Sequence, residues 1–350
     1  MDDFVEIAGR RIAPGEPAYV IAEMSANHLQ DLDRALALVD AAADAGADAV
    51  KTQTYTPDTM TLQSSEPPFQ IRGGTLWDGQ TLYDVYSGAT TPWEWHADIA
   101  QRARQRGIAF FSSVFDQTSI TFLETLGVPA YKIASAEIVD LPLIGAAAAT
   151  GKPLIMSTGM ATISEIDDAV RTALAAGSAG IVLLKCNSAY PARHEELNLR
   201  TIPAMATTWG CPVGLSDHTT DATSAIAAVA LGACVVEKHL TQRRSDGGPD
   251  SEFSLEPMEF RRLVDEIRVA ERTLGGVAFG PTTTESASLL FRRSLFVVED
   301  VEEGAVFDES NVRAIRPADG LPPKHLAEVI GRRAARAVRR GTPMAWELLA

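Results

Sequence analysis

The chain has few cysteines and no long apolar run, and both shortages narrow the classes of protein it can belong to. Its 350 residues contain three cysteines, Cys186, Cys211 and Cys234, without the close spacing of a zinc or redox motif. A disulfide framework is therefore not expected, and the thiols should be buried as small apolar side chains. No stretch reaches the roughly 20 apolar residues of a membrane helix. No signal-peptide pattern follows the first residues, so we expect a cytoplasmic protein that does not insert into a membrane.

Basic charge is also scarce. The chain has 31 Lys and Arg residues against 46 Asp and Glu residues, a net charge of −15. Such an acidic chain is a poor partner for nucleic acid or an anionic membrane, and we expect neither. An anionic small molecule would have to be bound by a few local cations, which makes individual lysines informative.

Short apolar runs separated by helical patterns predict the fold. Apolar residues recur at spacings of three and four, as in 32–43, and Gly46 follows that run. Eight strand–helix units favour an α/β fold of the (β/α)8 TIM-barrel type. An open doubly wound sheet is the alternative, but no GxGxxG motif follows the first strand. The predicted strands are 19–21, 49–52, 109–112, 131–133, 154–156, 181–185, 212–215 and 234–237.

The same patterns predict two domains. Residues 1–280 carry the barrel pattern, residues 281–290 form a linker, and residues 291–350 form a small domain with strands at 294–298 and 311–316. Within the barrel, the connection 55–92 is too long for a simple turn. Because it is rich in aromatic residues as well as Gly and Pro, we expect an ordered lid over the strand ends.

Two histidines follow neighbouring predicted strands. His218 comes shortly after the run 212–215, and His239 after 234–237. Parallel barrels keep their chemistry at the carboxyl ends of the strands, so both imidazoles are expected there. Each could be a hydrogen-bonded histidine at a strand end. Their equivalent positions in successive units favour a shared divalent metal ion instead.

Lysines inside apolar runs are a second signal, because a lysine is costly to bury without an anion. Each could form a buried ion pair with a glutamate. Together they favour a site for a small doubly charged anion, such as a phosphate ester that also carries a carboxylate. The lysines are Lys51, Lys132 and Lys238, and the candidate glutamates are Glu23, Glu137 and Glu237.

Hydroxyl side chains follow the same strands. A single serine at the start of a helix is ordinarily an N-cap, but a ring of them around lysines favours a cradle for phosphate and carboxylate. Glu23, at the end of the first strand, could be a metal ligand, a proton-transfer group or the partner of a lysine. The serines are Ser113, Ser135, Ser157, Ser188 and Ser216.

These segments resemble the sialic-acid synthase family and, within it, the pseudaminic acid synthases. The matching motifs include IAEMSANH at 21–28, GLSDHT at 214–219 and EKH at 237–239. Residues 292–295 and 312–317 resemble the family's antifreeze-like (SAF) domain. The resemblance extends from about residue 17 to the C-terminus. Further matching segments are 51–59, 74–79, 91–95, 131–135 and 157–160.

The resemblance implies a condensation of phosphoenolpyruvate with an amino sugar, 2,4-diacetamido-2,4,6-trideoxy-L-altrose, to give pseudaminic acid and phosphate. A legionaminic acid or N-acetylneuraminic acid synthase is the alternative of the same class. A non-catalytic binding protein on a synthase barrel is the alternative of another class, because a fold alone does not fix a function. The family uses a divalent metal, Mn2+, Mg2+ or Co2+, which His218 and His239 would bind.

The resemblance also implies roles for individual residues. Glu23 matches the acid–base carboxylate that contacts the sugar, and Tyr190 and Asp250 match other sugar-side residues. Arg316 matches an arginine that reaches the partner's sugar site in a domain-swapped homodimer. The matches to phosphoenolpyruvate contacts are Lys51, Ser113, Lys132, Ser135, Ser157, Ser216 and Ser188, with Asn187 as the alternative to Ser188.

Overall fold

The structure is a computed structural model that describes residues 3–74 and 76–350. Thr75, within the predicted lid, and the first two residues of the predicted barrel domain lie outside the described residues. The chain divides into two compact units, one ending at Gly275 and the other beginning at Gly276.

The first unit is a closed barrel of eight parallel strands, which confirms the predicted fold class. The strands pair in chain order, and the last one pairs with the first to close the barrel. An antiparallel hairpin of β1 (Val5–Ile7) and β2 (Arg10–Ile12) precedes them. The barrel strands are β3 (Tyr19–Glu23), β4 (Ala49–Thr54), β5 (Ala109–Val114), β6 (Tyr131–Ile133), β7 (Leu154–Ser157), β8 (Ile181–Cys186), β9 (Val213–Asp217) and β10 (Val235–His239).

Helices follow the barrel strands and pack their apolar sides onto them. Local capping explains where several begin: the Asp31 side chain accepts a hydrogen bond from the Arg34 amide, and Thr162 and Glu165 form a capping box. The helices are α1 (Leu32–Asp44), α2 (Pro57–Met60), α3 (Leu82–Ala89), α4 (His96–Arg106), α5 (Gln117–Leu126), α6 (Leu141–Ala148), α7 (Ile163–Ala175), α8 (Thr201–Trp209), α9 (Thr223–Ala230) and α10 (Pro257–Leu274).

The second unit has its own small apolar core. Strands β11 (Ser294–Val297) and β12 (Val312–Ile315) pair antiparallel, as the sequence predicted, and α11 (Leu326–Val329) follows. Leu295 and Phe307 are at the centre of its core. The predicted linker 281–290 lies in this unit, and a 3-10 helix begins within it at Ser286.

Two other expectations concern cysteines and membrane helices. Cys186, Cys211 and Cys234 are all buried and form no disulfide, as predicted. In the part of the chain that the structure describes, no helix is long and apolar enough to cross a membrane.

Two buried histidines outside the barrel lumen should make stability depend on pH. Nε2 of His28 lies 3.2 Å from Oγ1 of Thr91, and Nε2 of His96 lies 2.7 Å from Oγ1 of Thr54. Burial lowers the pKa of both imidazoles to about 4, from the ordinary histidine value of 6.5. Each histidine therefore contributes stability that is present above pH 6.5 and lost as the pH falls through 4, about 3 kcal/mol per group.

The test is denaturant unfolding at pH 7 and pH 4.5. We expect His96→Asn to lose less unfolding free energy between these pH values than the unsubstituted chain, because one buried titrating group is gone. An identical loss in both proteins would contradict the prediction.

Candidate active site

Alternation along the strands decides which side chains enter the barrel. In β10, Glu237 contacts lysines from other strands inside the barrel, and His239, two residues later, points the same way. Lys238 lies between them and points outward, where its Nζ is 2.8 Å from Asp217 Oδ2. The expectation that Lys238 belongs to the anion site is therefore wrong, because its charge is already paired outside the lumen.

Two lysines and two glutamates form a buried network across the barrel. Nζ of Lys51 contacts the Glu23 carboxylate, lies 3.4 Å from Glu237 Oε2 and donates to Ser113 Oγ at 3.0 Å. Nζ of Lys132 lies 3.5 Å from Glu237 Oε1. Glu23 and Glu237 are thus the lysine partners, whereas Glu137 has no lysine within ion-pair distance among the described residues.

The two glutamates differ in their protonation. Burial raises the pKa of Glu23 to about 7, although the charge of Lys51 opposes the shift. Burial also disfavours ionised Glu237, but the charges of Lys132 and Lys51 outweigh it and lower its pKa to about 2. Glu237 is therefore a fixed counter-ion. Glu23 can hold or release a proton near neutral pH, as a general acid or base must.

Ser216 also contacts the lysine–glutamate network. Its hydroxyl donates to Glu237 Oε1 at 3.1 Å. Together with Ser113 it supplies hydroxyl contacts to the charged groups, so two of the five predicted serines lie directly on the lysine–glutamate network.

The two histidines predicted to meet are neighbours. His218 directly follows β9 and His239 ends β10, and their ring centroids are 5.4 Å apart. Nδ1 of His218 lies 2.8 Å from the carbonyl oxygen of Asn187, so it is the donor nitrogen. Nδ1 of His239 is buried and has no hydrogen-bond partner among the described residues. Burial, followed by the charge of His218, lowers the His239 pKa, so this ring is neutral.

A divalent metal ion fits this pair. The orphaned nitrogen of His239 would gain a partner, and the carbonyl contact on His218 is the kind of outer hydrogen bond that orients a metal-binding imidazole. Within residues 3–74 and 76–350, no group of three or more His, Cys, Asp and Glu side chains could hold a metal ion. The two histidines would thus leave positions for water and substrate, as catalytic sites do.

Hydroxyl groups converge beside Gly159. Its amide donates to Ser135 Oγ at 3.1 Å, and a side chain at this position would overlap Ser135 and Ser188. Ser157 Oγ is buried and has no hydrogen-bond partner within residues 3–74 and 76–350. The Asn187 side chain accepts from the Ala189 amide within its own loop. Ser188, and not the Asn187 side chain, thus lies with the other hydroxyls.

A cavity of about 350 Å³ lies at the strand ends beside this network. Tyr190 and Asp250, predicted to contact the sugar, both line it together with His239. The Tyr190 ring centroid is 4.3 Å from that of His218. Residues of the predicted lid form part of the wall: Tyr55, Ile71, Trp77, Leu82, Val85, Tyr86 and Ala89. The described residues of this segment thus line the cavity, as expected of a lid over the strand ends.

Arg316 is placed in the second unit. It directly follows β12 and its side chain is exposed.

The sequence prediction missed two residues that organise the site. Ser25 is buried at a φ of 44°, a conformation that costs a serine energy. Its amide donates to Glu23 Oε1 at 2.8 Å, and its hydroxyl accepts from Gln53 at 3.0 Å. Both residues lie in the matching segments 21–28 and 51–59, two positions after Glu23 and Lys51 respectively. Even spacing along or just beyond a strand could have identified them.

These features define a class: a (β/α)8-barrel protein with a buried acid–base and cation network at the carboxyl ends of its strands, joined to a small second unit. Residues 38–278 match the NeuB family, and residues 292–350 match the SAF domain. The chain therefore belongs to the NeuB family.

Individual relatives agree with this assignment. The chain is 43% identical over 331 residues to the pseudaminic acid synthase of Helicobacter pylori, with 94% of this chain and 97% of the relative covered. It is 36% identical to the N,N'-diacetyllegionaminic acid synthase of Legionella pneumophila, with 94% of each chain covered. A crystal structure of N-acetylneuraminic acid synthetase from Leptospira borgpetersenii superposes with a TM-score of 0.74 at 31% identity, covering 83% of this chain and 96% of that one.

Proposed function

We propose that this chain is a pseudaminic acid synthase, which condenses phosphoenolpyruvate with 2,4-diacetamido-2,4,6-trideoxy-L-altrose and releases phosphate. The observation that carries the proposal is the lysine–glutamate network beside the histidine pair. The sequence comparison supports it, because the chain is 43% identical to a pseudaminic acid synthase and 36% identical to a legionaminic acid synthase.

The buried charges support binding of phosphoenolpyruvate. When Glu23 is protonated, Lys51 and Lys132 outnumber the remaining carboxylate of Glu237 in the network, which leaves a net positive charge for an anion. Ser135, Ser157 and Ser188 would then donate hydroxyl hydrogen bonds to its phosphate or carboxylate oxygens. The rise of the Glu23 pKa by burial thus links protonation of the site to anion binding.

The remaining roles fall to residues around the cavity. We propose that Glu23 moves the proton at the reacting sugar carbonyl and that Tyr190 and Asp250 orient the sugar. His218 and His239 would hold a divalent cation, Mn2+, Mg2+ or Co2+. When bound, it supplies Lewis-acid polarisation of the sugar aldehyde.

A phosphate-release assay with phosphoenolpyruvate and a panel of sugars tests the function. We expect the highest kcat/KM with the trideoxy-L-altrose, because relatives that are 41–43% identical over 92–94% of this chain are pseudaminic acid synthases. A preference for the legionaminic precursor or for N-acetylmannosamine would favour the rival synthases. No phosphate release with any sugar, from folded protein supplied with divalent metal, would favour a non-catalytic binding protein.

We also propose that the enzyme is a domain-swapped homodimer in which Arg316 serves the partner's sugar site. The exposure of Arg316 in a separate unit supports this role. Mixing inactive Glu23→Ala and Arg316→Ala chains should then restore activity, because each mixed dimer contains one site with both residues intact. Random exchange makes half the dimers mixed, so about a quarter of normal activity is expected.

The control for this mixture is mass spectrometry of the intact dimers, which reports whether the two chains exchange. If mixed dimers are present and the mixture remains as inactive as either parent, Arg316 acts within its own chain and the swapped arrangement is wrong.

A further inference from the structure

Helix α3 presents an apolar face to the cavity. Leu82, Val85, Tyr86 and Ala89 all line it. They stand at i, i+3, i+4 and i+7, which places them on one side of the helix. None of the residues of α3 is buried. A helix of this kind ordinarily packs its apolar face against a core, whereas here that face borders the space proposed for the sugar.

The wall contributed by the barrel has the opposite character. Ser25, Gln53, His239 and Asp250 line the same cavity from the strand ends and the loops that follow them. Gln53 Nε2 lies 3.0 Å from Ser25 Oγ, and the Asp250 carboxylate accepts from the Ala26 amide at 3.2 Å. A molecule that fills the cavity therefore meets polar groups on the barrel side and hydrocarbon on the α3 side.

An N-terminal cap and a chain of aromatic contacts hold α3 in place. The Thr81 side chain caps the helix by accepting from the Asp84 amide at 3.1 Å. The ring of Tyr86 packs edge-on against Tyr55, with centroids 5.7 Å apart, and Tyr55 packs in turn against Phe115 at 5.2 Å. The apolar wall is thus supported before any ligand arrives, as selective recognition requires.

We infer that the α3 face determines sugar specificity by selecting a methyl group, at C6 of a 6-deoxy acylamino hexose, over the hydroxymethyl group of an ordinary hexose. Leu82, Val85 and Ala89 carry no polar side-chain atom, so a sugar hydroxyl placed against them would lose its water without gaining a partner. This inference rests on the proposed function and deepens it, because it names the residues that distinguish deoxy sugars from hydroxylated ones.

The test uses two 2,4-diacetamido hexoses that differ only at C6, methyl in one and hydroxymethyl in the other. The unsubstituted enzyme should favour the 6-deoxy sugar in kcat/KM by about 100-fold, the scale on which an apolar pocket rejects an added hydroxyl. Val85→Thr and Ala89→Ser each add a hydroxyl with little change of shape. At least one of them should lower this ratio about tenfold. Ser87→Ala, on the opposite side of α3, should keep it.

The possible outcomes separate the inference from the proposed function. An unchanged ratio in both Val85→Thr and Ala89→Ser, with folding verified by thermal unfolding, overturns the inference alone. So does equal use of both sugars by the unsubstituted enzyme, which leaves the synthase activity intact. If the enzyme turns over neither sugar, the proposed function is contradicted, and the inference that rests on it is contradicted as well. If Val85→Thr does not fold, the kcat/KM ratio measured with the smaller change, Ala89→Ser, decides whether the inference holds.

Discussion

Replacing either His218 or His239 by alanine is expected to lower kcat by at least about 100-fold. Lewis-acid assistance contributes several kcal/mol to a reaction of this kind, and each 1.4 kcal/mol is about tenfold in rate. The two rings are neighbours, with centroids 5.4 Å apart, and the buried Nδ1 of His239 has no partner in the part of the chain that the structure describes. Loss of either imidazole would leave too few ligands to retain the cation.

Metal content provides a readout that does not depend on activity. We expect chelation to abolish turnover and Mn2+ to restore it, and we expect His218→Ala and His239→Ala to be purified with far less bound metal by elemental mass spectrometry. His96→Asn is the matched control, because His96 is also buried but is hydrogen-bonded to Thr54 outside the lumen. Full activity after verified metal removal would show that the histidine pair has another role.

Replacing Lys132 by methionine should raise the KM for phosphoenolpyruvate by at least about 30-fold. Loss of one charge from a buried ionic contact costs roughly 2–5 kcal/mol, and 2 kcal/mol is about 30-fold in affinity. Lys132 lies 3.5 Å from Glu237 in the network proposed to bind the anion. Its methionine variant keeps most of the length of the side chain and removes the ammonium group with its charge and its N–H donors.

Lys238→Met is the control, because it breaks a buried ion pair of the same barrel on the outer side of the strands. It leaves Asp217 without its partner at 2.8 Å, which should destabilise the fold by about 3–5 kcal/mol. The KM for phosphoenolpyruvate should change little in that variant. Equal increases of KM in both variants would mean that Lys132 affects this KM by stabilising the fold and not by binding the anion.

Local patterns were sufficient to predict much of this molecule. Runs of apolar residues predicted all eight barrel strands, since a strand covered on both faces is apolar along its length. The positions of His218 and His239 at equivalent points of successive units placed them together, because parallel strands end at one rim. The length and aromatic content of the connection 55–92 predicted that it lies over the strand ends, and its described residues line the cavity there.

The sequence prediction was wrong where it had to assign a side chain to one face of a strand. Lys238 was expected in the lumen although it lies between two inward residues, Glu237 and His239, and the alternation of a strand turns it outward. That signal was present in the sequence. The choice between Asn187 and Ser188, by contrast, depended on a loop whose path the sequence does not encode in any local pattern.

The elements, their order and the chemical groups available at the strand ends could be predicted from local sequence patterns. The contacts between those groups could not: Lys51 pairs with Glu23 and Glu237, and the side chains of Ser135 and Ser188 both lie beside Gly159. The physical reason is that strand periodicity is a property of neighbouring residues, whereas pairing and desolvation depend on groups far apart in the chain that closure of the barrel brings together. The raised pKa of Glu23 arises only after that closure.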